Sequence, residues 1–181
     1  MREIEVKARV DNFESIVQKL ESLGCSLSQP IVQDDKVFLQ NGVVFGDLTP
    51  GGNVLRIRQQ GVKNIFTLKV RGEREMDCIE RETEISDPEK MVEILEYLGY
   101  REVVRIRKSR RKCQYQNLEI CLDEVDELGN FIEVEILAEA GDGQEIQNTL
   151  FDFLVTLGVT AESRVLSGYD ILMFNKRLKK I

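Results

Sequence analysis

The chain has 181 residues, 42% hydrophobic and 31% charged, with 25 Lys and Arg against 32 Asp and Glu for a net charge of -7. That length supports a single domain over residues 1–181 with its own core, and the acidic balance argues against a general polyanion-binding surface. The sequence holds no histidine, and Cys25, Cys78, Cys113 and Cys121 show no C-x-x-C spacing, which excludes Ser-His and Cys-His nucleophile pairs and removes the usual zinc ligands.

Any chemistry must then run on carboxylates, lysine, tyrosine or a metal. The N-terminus enters a charged strand with no apolar signal segment, and no later apolar run reaches membrane-spanning length. A cytoplasmic protein with reduced thiols and no membrane partner is expected.

The first strand sets the pattern. Glu3, Glu5, Lys7 and Arg9 share one face, and Ile4, Val6, Ala8 and Val10 share the other. Asp11 or Asn12 then caps a helix whose Phe13, Ile16, Val17, Leu20 and Leu23 follow helical spacing, with Gly24 closing it. Asp34 to Gln40 reads as a short strand ending at the turn Asn41-Gly42. The loop Gly46 to Gly52 is glycine-rich, but it lacks the Gly-Lys-Ser/Thr ending of a phosphate loop and runs into a strand.

Asn53 to Gln59 sets Leu55 and Ile57 against Arg56 and Arg58. Ile65 to Arg71 sets Phe66, Leu68 and Val70 against Thr67, Lys69 and Arg71. Ile79 to Ile85 carries Glu80, Glu82 and Glu84 in one phase, with a less apolar opposite face. Asp87-Pro88 starts a helix with Met91, Ile94, Leu95 and Leu98, closed by Gly99. In the basic segment Arg101 to Lys112 both phases are charged, so periodicity cannot assign its faces.

Leu118 to Glu124 restores the alternation, with Leu118, Ile120 and Leu122 against Glu119, Cys121 and Asp123. After the turn Gly129-Asn130, Phe131 to Leu137 sets Ile132, Val134 and Ile136 against Glu133 and Glu135. A helix with Ile146, Leu150, Phe153, Leu154 and Leu157 follows, ending at Gly158. The tail from Ser163 to Ile181 reads as a helix with Tyr169, Ile171, Leu172 and Phe174 apolar. Charged strand, helix, then Leu-Gly occurs at Glu3 to Gly24, Glu80 to Gly99 and Glu133 to Gly158, an internal duplication at unequal spacing.

Two α+β arrangements fit about eight such strands: an open sheet with a charged solvent face, or a closed antiparallel barrel with a charged lumen and helices on its greasy exterior. Acidic rows (Glu3/Glu5, Glu80/Glu82/Glu84, Glu119/Asp123, Glu133/Glu135) and basic rows (Arg56/Arg58, Lys69/Arg71) lie on separate strands, whereas a solubilising surface would mix the signs. Carboxylates at i, i+2 call for a hard cation such as magnesium, and guanidinium rows call for phosphate oxygens. Together they point to a metal-bound polyphosphate.

Several of these strands resemble one family. Glu3-x-Glu5-x-Lys7, Leu55-Arg56-Ile57-Arg58, Phe66-Thr67-Leu68-Lys69, Glu80-Arg81-Glu82-Thr83-Glu84, Arg107-Lys108-Ser109-Arg110, Leu122-Asp123 and Phe131-Ile132-Glu133-Val134-Glu135 resemble, in order, the strand motifs of the CYTH superfamily. These are the triphosphate tunnel metalloenzymes, which unite class IV adenylate cyclases with thiamine and inorganic triphosphatases. The resemblance implies a closed eight-stranded antiparallel β-barrel forming a triphosphate tunnel, and it points Lys108 and Arg110 inward. It implies triphosphate binding by Lys7, Arg56, Arg58, Lys69, Lys108 and Arg110. Magnesium or manganese binding is implied for Glu3, Glu5, Glu133 and Glu135, with Asp123 at the metal site and Glu80, Glu82 and Glu84 as further tunnel acids. Lys7 and Asp123 are implied at the catalytic centre.

Length, element order and the Leu-Arg-Ile-Arg form are most similar to the cyclase branch, which turns ATP into cyclic AMP and pyrophosphate. A triphosphatase acting on inorganic, nucleoside or thiamine triphosphate is the alternative, although no tryptophan is present to sandwich a thiamine ring. A non-catalytic nucleotide- or polyanion-binding module resting on Arg101 to Lys112 is the third reading. The acidic net charge disfavours nucleic acid as its ligand. The oligomeric state stays open, a homodimer included.

Overall fold

The computed structural model describes residues 2–74, 76–139 and 141–179. Among them the alternating segments form β1 (Arg2–Arg9), β2 (Ile31–Gln40), β3 (Asn53–Gln60), β4 (Lys63–Arg71), β5 (Asp77–Glu84), β6 (Tyr100–Tyr115), β7 (Leu118–Val125), β8 (Gly129–Ala138) and β9 (Arg164–Val165). The helices are α1 (Glu14–Ser22), α2 (Pro88–Tyr97), α3 (Gly143–Thr156) and α4 (Tyr169–Leu178). The strand order is β5-β4-β3-β2-β6-β7-β8-β1-β9, and β5 also pairs with β1. The fold is therefore a closed eight-stranded antiparallel barrel with one extra short strand, in the α+β class. Closure leaves the long strands without exposed edges.

Two compact units are distinguished: Met1–Ile31 with Lys108–Leu166, and Val32–Arg107 with Ser167–Ile181. In the first, the aliphatic face of β1 (Ile4, Val6, Ala8) joins Ile120 and Leu122 of β7 and Ile132 and Val134 of β8. Ile16 and Leu20 of α1 and Leu150 and Leu154 of α3 pack into the same core. Each such Ile, Leu or Val side chain stabilises the fold by about 1.5–3 kcal/mol relative to exposure. This fixes the register: a one-residue slip would turn the aliphatic row of β1 out of the core.

In the second unit Phe38, Leu55 and Ile57 cluster with Leu95 of α2, and Phe66, Leu68, Met91 and Val92 pack around them. Apolar faces thus lie under helices in both units, as the alternation predicts. No helix among the described residues is long and apolar enough to cross a membrane. All four cysteines are free thiols.

The three strand-helix-Leu-Gly units are realised as β1–α1, β5–α2 and β8–α3. Gly24, Gly99 and Gly158 follow these helices with φ of +82°, +81° and +89°, a left-handed conformation that a side chain would strain. Asp87 caps α2 by accepting from the Lys90 N–H at 2.9 Å, with Pro88 at the first helical position.

Three expectations change. The α1 N-cap is Phe13 rather than Asp11 or Asn12; Asn12 instead accepts from the Glu14 N–H at 3.1 Å. The strands start or end up to three residues beyond the alternating cores, while Val10 and Ile85 fall just outside β1 and β5, because ladder hydrogen bonds and not the side-chain pattern set the bounds. The tail is not one helix from Ser163. Arg164 and Val165 pair with Ala8 and Lys7, and α4 begins only after the Ser167-Gly168 break. Its buried residues are Tyr169 and Met173, at i, i+4 spacing, while Phe174 meets the Phe45 ring edge-on at 5.3 Å. Residues 180 and 181 of the expected helix lie outside the described residues.

Candidate active site

Register turns the ionic faces of the first unit into two different sites. In the β1–β8 ladder Lys7 stands across from Glu133, and Glu5 across from Glu135. On the other side of β8, Cys121 faces Glu133 and Glu119 faces Glu135, while Arg110 faces Asp123 between β6 and β7. All of these side chains share one face by the two-residue period.

The first site is a buried ion network. Lys7 is 1% exposed, Asp123 0% and Glu133 4%. Lys7 Nζ lies 2.8 Å from Glu133 Oε1 and 3.7 Å from Glu5 Oε1. Arg110 Nε donates to Asp123 Oδ1 at 2.7 Å, and its Nη2 donates to both Asp123 and Glu133. Lys108 Nζ donates to Asp123 Oδ2 at 3.3 Å. Burial opposes ionisation of Glu133, but the charges of Lys7, Arg110 and Lys108 outweigh it and hold its carboxyl well below the usual range. Burial likewise opposes the Arg110 charge, and Glu133 and Asp123 overcome it. These cations are stiffly held and already carry anionic partners, which is the arrangement a phosphate oxygen can enter by exchange.

The second site is its electrostatic opposite. Oxygens of Glu3, Glu5 and Glu135 lie within 4.8 Å of one another. Burial, then the charges of Glu3, Glu5, Glu133 and Glu119, push the Glu135 carboxyl up to about 9. Three carboxylates with no nitrogen or sulfur donor form an oxygen set suited to a hard divalent ion, and the strain on Glu135 is what such a cation would relieve. The residues therefore fit magnesium or manganese. Glu119 adjoins them, with Lys112 as its ion-pair partner and Gln114 Nε2 donating to it at 3.1 Å.

The second unit carries its own ionic face. Arg56 Nη2 donates to Thr67 Oγ1 at 3.2 Å and to Glu82 Oε1 at 2.9 Å, and the Thr67 hydroxyl donates to the same Glu82 oxygen at 2.8 Å. Glu80 is paired with Lys69 and lies 3.7 Å from Arg56. Burial opposes the Glu80 charge, yet Lys69 and Arg56 bring its carboxyl down to about 2. Arg58 makes a bidentate pair with Asp35, at 2.7 and 2.8 Å, both side chains being buried.

Of the sequence-derived candidates, Glu3, Glu5 and Glu135 come together as a carboxylate trio. Glu133 and Asp123 instead sit among Lys7, Lys108 and Arg110, whose inward orientation on β6 is as the resemblance implies. Glu80 and Glu82 hold Lys69 and Arg56, whereas Glu84 is exposed and pairs with Lys63. Sequence reasoning missed Asp35, which lies in the phase opposite the core residue Phe38 and stands across from Arg58, and it left Glu119 out of the site.

A family model described as the CYTH domain matches residues 1–169. The chain is 29% identical to a Methanocaldococcus jannaschii protein named as a putative adenylate cyclase, over 93% of this chain and 97% of that one. A solved structure from Pyrococcus horikoshii matches 94% of this chain and 99% of its own at 29% identity, with a TM-score of 0.78. A Hippeastrum structure, described as a putative adenylyl cyclase with a dominant triphosphatase activity, shares the fold. It has 19% identity and a TM-score of 0.64, over 97% of this chain and 95% of that one.

Proposed function

The chain belongs to the CYTH domain family, and from that premise we propose that it is a metal-dependent enzyme acting on a triphosphate, with ATP cyclisation to cyclic AMP and pyrophosphate as its reaction. The observation that carries the proposal is the pairing on β1 of two opposite environments. Glu3 and Glu5 join Glu135 in a strained carboxylate trio, while Lys7 belongs to a buried cation network.

In this reading Glu3, Glu5 and Glu135 hold magnesium or manganese, with Glu133 and Asp123 bordering the site. The bound metal supplies neutralisation of the charge that gathers on the phosphates. Lys7, Lys108, Arg110, Arg56, Arg58 and Lys69 bind the non-bridging oxygens of the triphosphate. Asp123 and Glu133 keep Arg110, Lys108 and Lys7 aimed before the substrate enters, so little reorganisation is needed. Positioning then does most of the work. The ribose 3′-oxygen attacks the α-phosphorus in line as the bond to pyrophosphate breaks. The 3′-hydroxyl proton leaves to a carboxylate of the site, the ammonium of Lys7 having no lone pair to accept it.

Hydrolysis is the second reading, favoured by a binding set that consists of phosphate-directed cations and so needs no nucleoside. There, water attacks the γ-phosphorus. The test is incubation with magnesium or manganese and, in turn, ATP, thiamine triphosphate and inorganic triphosphate. Cyclic AMP with pyrophosphate from ATP supports the cyclase, orthophosphate without cyclic AMP supports hydrolysis, and no product from any of the three overturns both.

A further inference from the structure

Beyond the phosphate-directed cations, the β2–β3 ladder carries a pair of amides. Gln33 stands across from Gln60 just as Asp35 stands across from Arg58. By the two-residue period both amides share the strand face that bears Arg56 and Arg58. Gln33 is 2% exposed. Its Nε2 donates to Gln60 Oε1 at 2.7 Å, and its Oε1 is buried with no hydrogen-bond partner among the described residues.

A buried amide oxygen left unbonded is costly, and no residue of the proposed mechanism uses it. Exchanging the amide oxygen and nitrogen of both glutamines would keep the single bond but leave a Gln33 donor unused, which would suit a six-carbonyl base, so an inosine triphosphate preference in wild type would overturn the acceptor assignment. From Arg56 to Gln60 the strand advances about 13 Å, farther than a bare triphosphate chain reaches.

We propose that Gln33, supported by Gln60, is the specificity-determining contact for the base of a nucleoside triphosphate, accepting a hydrogen bond from an exocyclic amino group such as that of adenine. The inference rests on the triphosphate reading above and names its substrate class. Gln60 holds the Gln33 amide in plane and offers its own N–H to a neighbouring ring nitrogen. A six-carbonyl base in the same place would set oxygen against oxygen. A site built to pair with a polar group rejects the mismatched analogue more strongly than an apolar site would.

The test compares binding of ATP and inosine triphosphate, which differ only in the donor and acceptor pattern at the six-position edge. Affinities are read by calorimetry with magnesium, and products are assayed in the same samples. Wild type should favour ATP by about tenfold. Gln33→Leu should bring the ratio to about one, while affinity for inorganic triphosphate stays within about twofold. Gln33→Met, closer to glutamine in volume, serves as a second variant should Gln33→Leu unfold.

Retained ATP preference without any product would count against the reaction and not the base contact. Turnover of both nucleotides at equal affinity would do the reverse. Equal affinities in wild type, or an ATP preference unchanged in Gln33→Met, overturn the inference and leave Gln33 a structural amide.

Discussion

Lys7 stands directly across from Glu133 in the β1–β8 ladder, its ammonium 2.8 Å from the carboxylate in a nearly solvent-free setting. Two residues along each strand, Glu5 stands across from Glu135. The same two strands therefore make a salt bridge at one rung and a like-charge clash at the next. Like charges directly opposite destabilise a sheet unless something lies between them, and this contrast separates the phosphate-directed cations from the proposed metal ligands.

Removing the anion of the paired rung should be severe. Glu133→Gln leaves Lys7 without its closest carboxylate and takes one of two acidic partners from Arg110. Breaking a buried pair from one side costs about 3–5 kcal/mol. Urea unfolding should show a lower midpoint with an unchanged slope, and a loss below about 1 kcal/mol would mean the network is wetter than its burial indicates.

The clashing rung makes stability depend on pH in the opposite sense from an ordinary native carboxylate. The Glu135 carboxyl stands at about 9 in the folded protein against an ordinary 4.5. Across that window the folded chain keeps a proton that the unfolded chain has shed, so the metal-free protein should lose stability as pH rises from about 5 to about 9. Glu135→Gln should remove that slope, and saturating manganese should flatten it in wild type. Urea midpoints at several pH values provide the check.

Much of this was legible from alternation alone. Strands β1, β3, β4, β7 and β8 each show one ionic and one aliphatic face in the sequence, and those aliphatic faces form the cores. Alternation could not reveal which carboxylates meet cations, because Glu133 and Glu135 look alike until the register sets one against Lys7 and the other against Glu5. On β6 both phases are charged, so alternation could not separate the buried Lys108 and Arg110 from the exposed Arg105 and Arg107; the family resemblance pointed the first two inward, and Arg110 stands across from Asp123 of β7. Gln33 lay outside the strand read from Asp34 to Gln40. Strand β9 has two residues, too short for any periodicity.

Packing and exposure predict contrasting responses in the two helices. Leu154 of α3 is fully buried in the core beneath β1 and β8, so Leu154→Ala should cost about 2–5 kcal/mol. Tyr97 of α2 is 92% exposed, and Tyr97→Ala should stay within about 0.5 kcal/mol of wild type. Thermal unfolding of the two variants side by side would reveal the difference.

The central claim is that the Glu3, Glu5 and Glu135 trio holds the divalent ion on which triphosphate turnover depends. It is tested most directly by Glu5→Gln, with manganese binding and product formation from ATP and inorganic triphosphate measured on the same folded sample. Glu5→Gln should weaken manganese binding and abolish the metal-dependent turnover expected of wild type, with the circular dichroism spectrum and unfolding midpoint retained. Wild-type manganese affinity and turnover in Glu5→Gln would contradict it.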